Sequence, residues 1–594
     1  DEAISIYQHA LTINPNNAEA HNNLGYAQTA LGQYDKAIES CRRAIVLQPN
    51  FAAAYSNLGN SLDALELFKD AIESYLRALG IEPHSAVAHN NLGAIFQKLG
   101  QTEEALSYFR EALTIQPDTF LYAIQLHLLL PVIPTSVDAI SAWRACYEEG
   151  IATLLKMAKN GAKITNEQLN CCSFYLAYHN SSDRRVMEAL RHFYRICVPD
   201  LTFTAPHLAN WHHPDDRGQR IKVGFLSEFL THHTIGSHYK GFIEHLDRSR
   251  FEVVVIHSPK AKHDAFRANL DALADEAIAL PAKLKDQQQV VAAEQLDVLF
   301  YPDIGMSSAT YFLAYSRLAP VQATSWGHPD TTGLDTMDYY VAATTNEAED
   351  AQDNYTERLV RLNRLPCYYY KTPPATSPQL SKAELGLPES GTLYGCPQAL
   401  FKIHPDFDAV LADIALGDPN GHILLPEGTH PDWTALLKAR WAATFPILLE
   451  RVVFMPRMKW DRFMAVMSHM DVLLDPLHFG SGNTFYDAMV IGTPVVTWPG
   501  KFGRGRNVAA AYRQMKIADA PIAQRLEEYA PLALALGRDP VRRQGLREAS
   551  LEAASQCLFE DMQAVREFES FLEDAVVAAG HGEKLVENWS PSIR

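Results

Sequence analysis

Cysteine is scarce and poorly placed for structural use. The 594 residues hold 8, at Cys41, Cys146, Cys171, Cys172, Cys197, Cys367, Cys396 and Cys557. No CxxC pair or zinc-type spacing occurs among them, which excludes a disulfide scaffold and a zinc module. Buried free thiols in a reducing cytoplasm are expected instead. Long apolar runs are missing too: the most hydrophobic stretch, Leu121 to Ile133, carries His127, is broken by Pro131 and is too short to span a bilayer. Positive charge is in deficit, with 52 Lys+Arg against 70 Asp+Glu and a net charge of −18. That balance argues against a nucleic-acid or membrane-surface binder, so any anionic ligand needs a local basic cluster. What remains is ordinary globular composition, 47% hydrophobic and 21% charged, in a chain long enough for roughly three or more domains.

The first 117 residues repeat. Pro15, Pro49, Pro83 and Pro117 stand 34 residues apart, and the same shift superposes Leu24-Gly25, Leu58-Gly59 and Leu92-Gly93. It also matches Ala37, Ala71 and Ala105, then Ala44, Ala78 and Ala112. A 34-residue period with small residues at fixed offsets predicts tetratricopeptide helix pairs. Residues 1–15 fit only the second helix of a pair, and no secretory leader is visible, so further repeats are expected ahead of residue 1. Asn23, Asn57 and Asn91 recur at one helical position. Their row reads either as a grip on an extended peptide backbone or as solvated positions that the repeat tolerates.

Residues 118–205 read as a helical adaptor, with helices expected over Ser136–Lys156 and Asn166–Tyr178 and no motif that carries chemistry. From Arg220 the pattern changes to short apolar strands alternating with helices. These are Ile221–Ser227, Phe251–Ser258, Leu296–Asp303 and Val321–Trp326. After about residue 390 come Leu393–Ala399, His422–Glu427, Arg451–Pro456, Asp471–Pro476 and Thr493–Pro499. Such alternation predicts two doubly wound parallel α/β domains, residues 206–375 and 376–594, joined by the Pro/Ser/Thr-rich stretch Thr372–Glu389. Ligands of these folds lie beyond the carboxyl ends of the strands.

Several motifs sit at such ends. In the segment from Asp475 to Asp487, the turn Gly480-Ser481-Gly482 precedes a helix beginning near Thr484, a natural phosphate seat, with Asp487 placed for ribose hydroxyls. Thr484 and Asp487 equally read as a capping box. Lys402, near a helix that Pro405 opens, is placed to neutralise a diphosphate; an ordinary surface lysine is the alternative. Arg457 to Phe463 follows another strand, where backbone groups can read a base and Phe463 can stack on it or join the core. Lys501, Arg504 and Arg506 add positive charge near that edge. In the first domain His232, His233 and His238 follow the first strand. His232 is the leading candidate for general base and Asp303 its rival, while the histidine spacing does not suit zinc.

Taken together, these residues resemble the O-linked N-acetylglucosaminyltransferase family, in the form of a bacterial homologue. The likeness is strongest from Leu400 to Pro405, from Asn483 to Asp487 and from Gly492 to Gly500. The resemblance implies a repeat superhelix followed by a GT-B pair of Rossmann-like domains. It also implies inverting, metal-independent transfer of N-acetylglucosamine from UDP-GlcNAc to Ser/Thr hydroxyls of protein acceptors, with no cofactor. It places Gln398, Lys402, Arg457, Met458, Phe463, Gly482, Asn483, Thr484 and Asp487 at the nucleotide sugar. Lys402 and His232 then have catalytic duties, and Asn23, Asn57 and Asn91 meet the peptide. Where animal members carry Gly-His-Thr-Thr this chain has Ser481-Gly482-Asn483-Thr484, so a histidine is absent from the donor site. Related plant SPINDLY-type enzymes use a fucosyl donor. Another nucleotide sugar such as GDP-fucose, or a non-catalytic repeat scaffold that binds nucleotide, are therefore the competing expectations.

Overall fold

A computed structural model describes residues 2–170, 173–214, 218–372 and 380–592. The Cys171-Cys172 pair and residues 373–379 of the expected linker lie outside the described residues. The chain divides into two compact units, residues 1–132 with 145–154, and residues 133–144 with 155–594.

The first unit is built of paired antiparallel helices: Ala18–Ala30 with Tyr34–Leu47, Ala52–Ala64 with Phe68–Ile81, and Ala86–Leu99 with Thr102–Ile115. Glu2–Ile13 supplies the partial first pair. The periodic small residues have a steric cause. A Cβ on Gly59 would lie 2.8 Å from the Tyr75 ring, and one on Gly93 would lie 2.6 Å from the Phe109 ring. Ala37, Ala71, Ala105 and their second-register counterparts are wholly buried between the helices. The asparagines run from repeat to repeat. Asn57 donates to Asn22 Oδ1 at 2.9 Å, and Asn91 donates to Asn60 Oδ1 at 2.9 Å. Asn23 is exposed and accepts from Asn22 at 3.3 Å. Inter-repeat bonds thus engage one amide donor each of Asn57 and Asn91.

In the second unit, β1 (Ile221–Ser227), β2 (Phe251–His257), β3 (Glu276–Ala279), β4 (Val298–Tyr301), β5 (Val321–Ser325), β6 (Tyr339–Ala343) and β7 (Arg358–Leu362) form one sheet. Its order is β3-β2-β1-β4-β5-β6-β7. The strands β8 (Leu393–Gly395), β9 (His422–Pro426), β10 (Val452–Met455), β11 (Val472–Leu474) and β12 (Val495–Val496) form a second, ordered β10-β9-β8-β11-β12. Every pairing recorded among the described strands is parallel. All nine strands expected from the sequence are present, mostly shorter. Three others were not legible. β3 is short and mostly exposed, while β6 and β7 are joined through the 3₁₀ turn Ala351–Asn354 rather than a periodic helix.

Two further departures concern connections. The described residues of the stretch 166–178 form no α-helix: they contain the 3₁₀ turns Asn166–Gln168 and Phe174–Tyr178. The aromatic side chains of the second turn pack outward on other elements rather than along one helical face. The last helix, Met562–Gly580, follows the second sheet in sequence but packs on the first. Phe568, Phe571, Leu572 and Val576 share one core with Val223, Phe225 and Phe300. Among the described residues no helix is long and apolar enough to cross a membrane. Of the described cysteines Cys41, Cys197, Cys367 and Cys396 are buried, whereas Cys146 is exposed, contrary to the expectation of uniform burial.

Candidate functional site

In the second sheet the chain winds outward from β8 through β9 to β10, then returns to β11 on the other side of β8. The carboxyl ends of β8 and β11 therefore flank a topological switch point, where loops diverge and leave a crevice. A cavity of about 630 Å³ opens there. Its walls include Gln398, Lys402, Arg457, Met458, Phe463 and Thr484, and His233 and Thr234 reach it from the first Rossmann-like half. Six of the residues singled out in the sequence thus meet in one place.

Beyond β8 the chain makes the short turn Leu400–Lys402 before the helix Pro405–Gly417. Lys402 is half-buried. Its ammonium donates to Gln398 Oε1 at 2.9 Å and to the Gly480 carbonyl at 3.5 Å, and lies 4.8 Å from the centre of the Phe479 ring. Burial pulls its pKa down to about 8, against the opposing pull of Asp475 and Cys396. A lysine held this way is no solvated surface group. It is a partly desolvated cation, with a stronger field than one in water.

Beyond β11, Gly480-Ser481-Gly482 leads into the helix Asn483–Ile491. Gly482 is the N-cap and no side chain caps the helix, so the capping-box reading of Thr484 and Asp487 does not hold. The Phe485 amide donates to the Gly482 carbonyl at 2.9 Å, which leaves the two amides before it, of Asn483 and Thr484, to an external acceptor, the arrangement that suits an anion. Asn483 Oδ1 accepts from the Tyr369 hydroxyl at 2.7 Å, and its amide donates to Asp487 Oδ2 at 3.1 Å. Asp487 also accepts from Trp460 Nε1 at 3.3 Å, and burial pushes its pKa up to about 6. Arg457 is exposed at the rim and donates to Thr429 Oγ1 at 2.9 Å. Met458 and Phe463 pack on the core of this half while lining the cavity, so core packing of Phe463 does not take it out of the cavity wall.

The first half contributes differently from expectation. His233, not His232, lines the cavity, and its ring accepts from the Ile235 amide at 3.2 Å to cap the helix Thr234–His245. His232 is exposed on the same turn, and its backbone amide donates to Asp264 at 2.9 Å. His238 is buried beside Tyr369, with ring centres 4.9 Å apart, and burial lowers its pKa to about 3. Asp303 is 0% exposed and is not part of the cavity wall. It accepts from Ser227 Oγ at 3.0 Å and from the Glu228 amide at 3.2 Å, fixing the turn after β1. Enclosure of this kind withdraws Asp303 from the role of base.

Arg504 is likewise corrected. It is 3% exposed. Its guanidinium lies 3.3 Å from Asp330 and 3.7 Å from Asp183 and donates to the Ser181 carbonyl at 2.6 Å. One arginine of the second half therefore joins the adaptor to the first half, and its charge is spent there. The adaptor also has a part that its sequence did not disclose. Tyr178 stacks on Phe479 at 4.4 Å and meets Phe401 edge-on at 4.8 Å, backing the ring on which Lys402 rests. A different trio, His404, Asp406 and His478, brings metal-type donor groups together. His478 Nε2 lies 2.8 Å from Asp406 Oδ2, and His404 Nδ1 accepts from the Asp406 amide at 3.2 Å. These groups bond one another, bracing the start of the Pro405–Gly417 helix against the loop after β11.

Comparison with known proteins agrees with this geometry. Residues 145–369 match glycosyl transferase family 41, and residues 18–51 and 42–118 match the tetratricopeptide repeat. These matches set the chain beside the family 41 glycosyltransferases, the family model covering residues 145–369. It is similar to the probable UDP-N-acetylglucosamine–peptide N-acetylglucosaminyltransferase SPINDLY of Arabidopsis thaliana, 25% identical over 352 residues, covering 58% of this chain and 38% of that one. It is also similar to the UDP-glucose:protein N-beta-glucosyltransferase of Actinobacillus pleuropneumoniae, 24% identical over 46% of this chain and 43% of that one. The chain thus spans about two fifths of the length of these relatives. A solved lysine-to-methionine mutant of the Thermobaculum terrenum O-GlcNAc transferase has the same fold. Its TM-score is 0.70 at 24% identity, over 95% of this chain and 98% of that one.

Proposed function

We propose that the family 41 domain transfers a sugar from a uridine diphosphate donor to side chains of protein acceptors, with N-acetylglucosamine and Ser/Thr hydroxyls as the preferred pair. One observation carries this reading: Lys402 and the uncapped Asn483–Ile491 helix converge on a single cavity at the β8/β11 switch point. A pyrophosphate seated there receives an ammonium on one side and helix amides on the other. Asp487 accepts from the ribose, and the Arg457–Phe463 segment meets the base.

The mechanism is direct displacement with inversion at the anomeric carbon. The acceptor hydroxyl attacks, its proton passes to the histidine turn at His232 and His233, and Lys402 with the helix stabilises the departing diphosphate. This chemistry draws its charge stabilisation from protein groups and requires no metal. The names of the relatives support two donors, UDP-GlcNAc and UDP-glucose. GDP-fucose, and a scaffold that binds nucleotide without turnover, are the outcomes to be separated from them.

The test is incubation of the protein with a peptide pool and each labelled donor in turn, with and without EDTA, followed by mass spectrometry of the peptides. Transfer from a UDP-sugar that survives EDTA and is lost in Lys402→Ala is the expected result. Transfer only from GDP-fucose, or donor binding with neither transfer nor hydrolysis, would overturn the reading.

A further inference from the structure

Asp475 is the first residue beyond β11 and its side chain is 2% exposed. The Gly-Ser-Gly turn folds over its carboxylate. The Ser481 amide donates to Oδ1 at 2.6 Å, and Thr497 Oγ1 donates to Oδ2 at 2.7 Å. A Cβ added to Gly480 would lie 3.0 Å from Oδ2, so any larger residue there would press on the carboxylate. The same turn has a second tether. Ser481 Oγ accepts from Gln398 Nε2 at 3.0 Å, and Gln398 Oε1 accepts from Lys402 at 2.9 Å. A continuous hydrogen-bonded path, Asp475–Ser481–Gln398–Lys402, therefore links the ends of β11 and β8.

Resting on the reading of this cavity as a diphosphate site, we propose that Asp475 is a positioning residue. It holds the Gly480-Ser481-Gly482 turn in its anion-receiving form and supplies the buried negative charge that keeps the Lys402 ammonium charged and in place before nucleotide arrives. The electrostatics support the geometry. Burial pushes Asp475 up to about 6 and pulls Lys402 down to about 8, and each charge resists the shift of the other. Both are charged in the interval between. The other titratable groups facing the pair are Cys396 at the end of β8, and Tyr512 and Tyr529 from the helices behind β11 and β12. Burial raises all three, leaving them neutral across that interval.

Asp475→Asn isolates the charge. The amide retains the shape, can accept from Ser481 and can donate to Thr497, while the negative charge is gone. Two titrations read the result: the rate of Lys402 acylation against pH without nucleotide, followed by mass spectrometry, and the affinity for uridine diphosphate over the same range. In the wild type both should change near pH 8, the value to which burial brings Lys402. In Asp475→Asn both midpoints should fall by about one pH unit, the scale of effect of one nearby charge. Thr497→Val, near-isosteric, leaves the carboxylate but removes one of its donors, and should move both midpoints the same way by less. It serves if the asparagine variant proves unfolded. A merely structural role would weaken binding without moving either midpoint. Unmoved midpoints in folded variants that still bind uridine diphosphate overturn this inference alone. Failure of the wild type to bind uridine diphosphate overturns the reading of the cavity itself, and this inference with it.

Discussion

Replacing Arg504 with methionine tests whether the second unit is held by a buried ionic lock. The guanidinium, 3% exposed, faces Asp330 at 3.3 Å and Asp183 at 3.7 Å. Removing it leaves two enclosed carboxylates: Asp183 retains a cation, Arg144 at 2.7 Å, whereas Asp330 retains only uncharged donors such as the Thr331 amide at 2.8 Å. Breaking a buried ion pair from one side costs about 3–5 kcal/mol. That is a drop of roughly 10² to several 10³ in the folded ratio. Removing Asp330 as well, in Arg504→Met/Asp330→Asn, should recover at least half of the loss, because the uncompensated carboxylate goes with it. The sign of the pH effect follows from burial, which holds the Asp330 pKa well above the usual carboxylate range. The contribution of such a group to stability is full below its unfolded pKa and is lost as pH rises through the folded one. Arg504 opposes the rise, so its loss should steepen the decline, with a larger penalty near pH 8 than near pH 5. Urea unfolding of the four cycle members at both pH values measures this. Affinity for uridine diphosphate in the folded variant should stay within about twofold, since a charge enclosed between Asp330 and Asp183 acts little on the cavity. A penalty under about 1 kcal/mol, or one equal at both pH values, would refute the argument.

Other outcomes follow from the same structure. Lys402→Ala should lower turnover by about 10²–10³-fold, the loss typical of one transition-state charge stabiliser, in steady-state assays with the preferred donor. Asp487→Ala should weaken uridine diphosphate at least about tenfold while leaving inorganic pyrophosphate nearly unaffected, as read by calorimetry; equal losses would remove Asp487 from the ribose. Gly93→Ala drives a methyl group to 2.6 Å from the Phe109 ring and should cost about 1–3 kcal/mol of repeat stability, seen in chemical denaturation. Burial pushes Asp303 up to about 7, so its ionisation opposes folding as pH rises toward that value. Asp303→Asn should therefore raise the melting temperature at pH 8 and change it little at pH 5, and a uniform loss would contradict this.

The readable parts of the sequence were those in which one local rule acts alone. The repeats show because Gly25, Gly59 and Gly93 each face a larger side chain at the same offset, and the nine strands show because burial on both faces leaves uninterrupted apolar runs. The Lys402 turn and the Asn483 helix start were legible because strand ends and glycine turns mark the switch-point crevice. Long-range partnership was hidden. Nothing beside Arg504 announces that Asp183, 321 positions earlier, takes its charge. Asp303 follows a strand as a catalytic acid can, yet its carboxylate is enclosed and its Oδ2 serves Ser227 and Glu228. His232 and His233 are adjacent in sequence, and only the backbone direction at the cap turns the second toward the cavity. Tyr178 belongs to a segment that carries no motif, so its stack on Phe479 behind Lys402 is visible only in three dimensions.

The terminal helix also bears on how the polypeptide matures. Val223, Phe225 and Phe300 await Phe568, Phe571 and Val576 as their cover. The ribosome makes that cover only after the whole second sheet. An apolar surface formed early in translation must therefore stay bare, or be shielded by chaperones, while some two hundred further residues emerge. A stop codon ahead of Met562 would consequently wreck the sheet made first, even with every nucleotide-facing residue already synthesised.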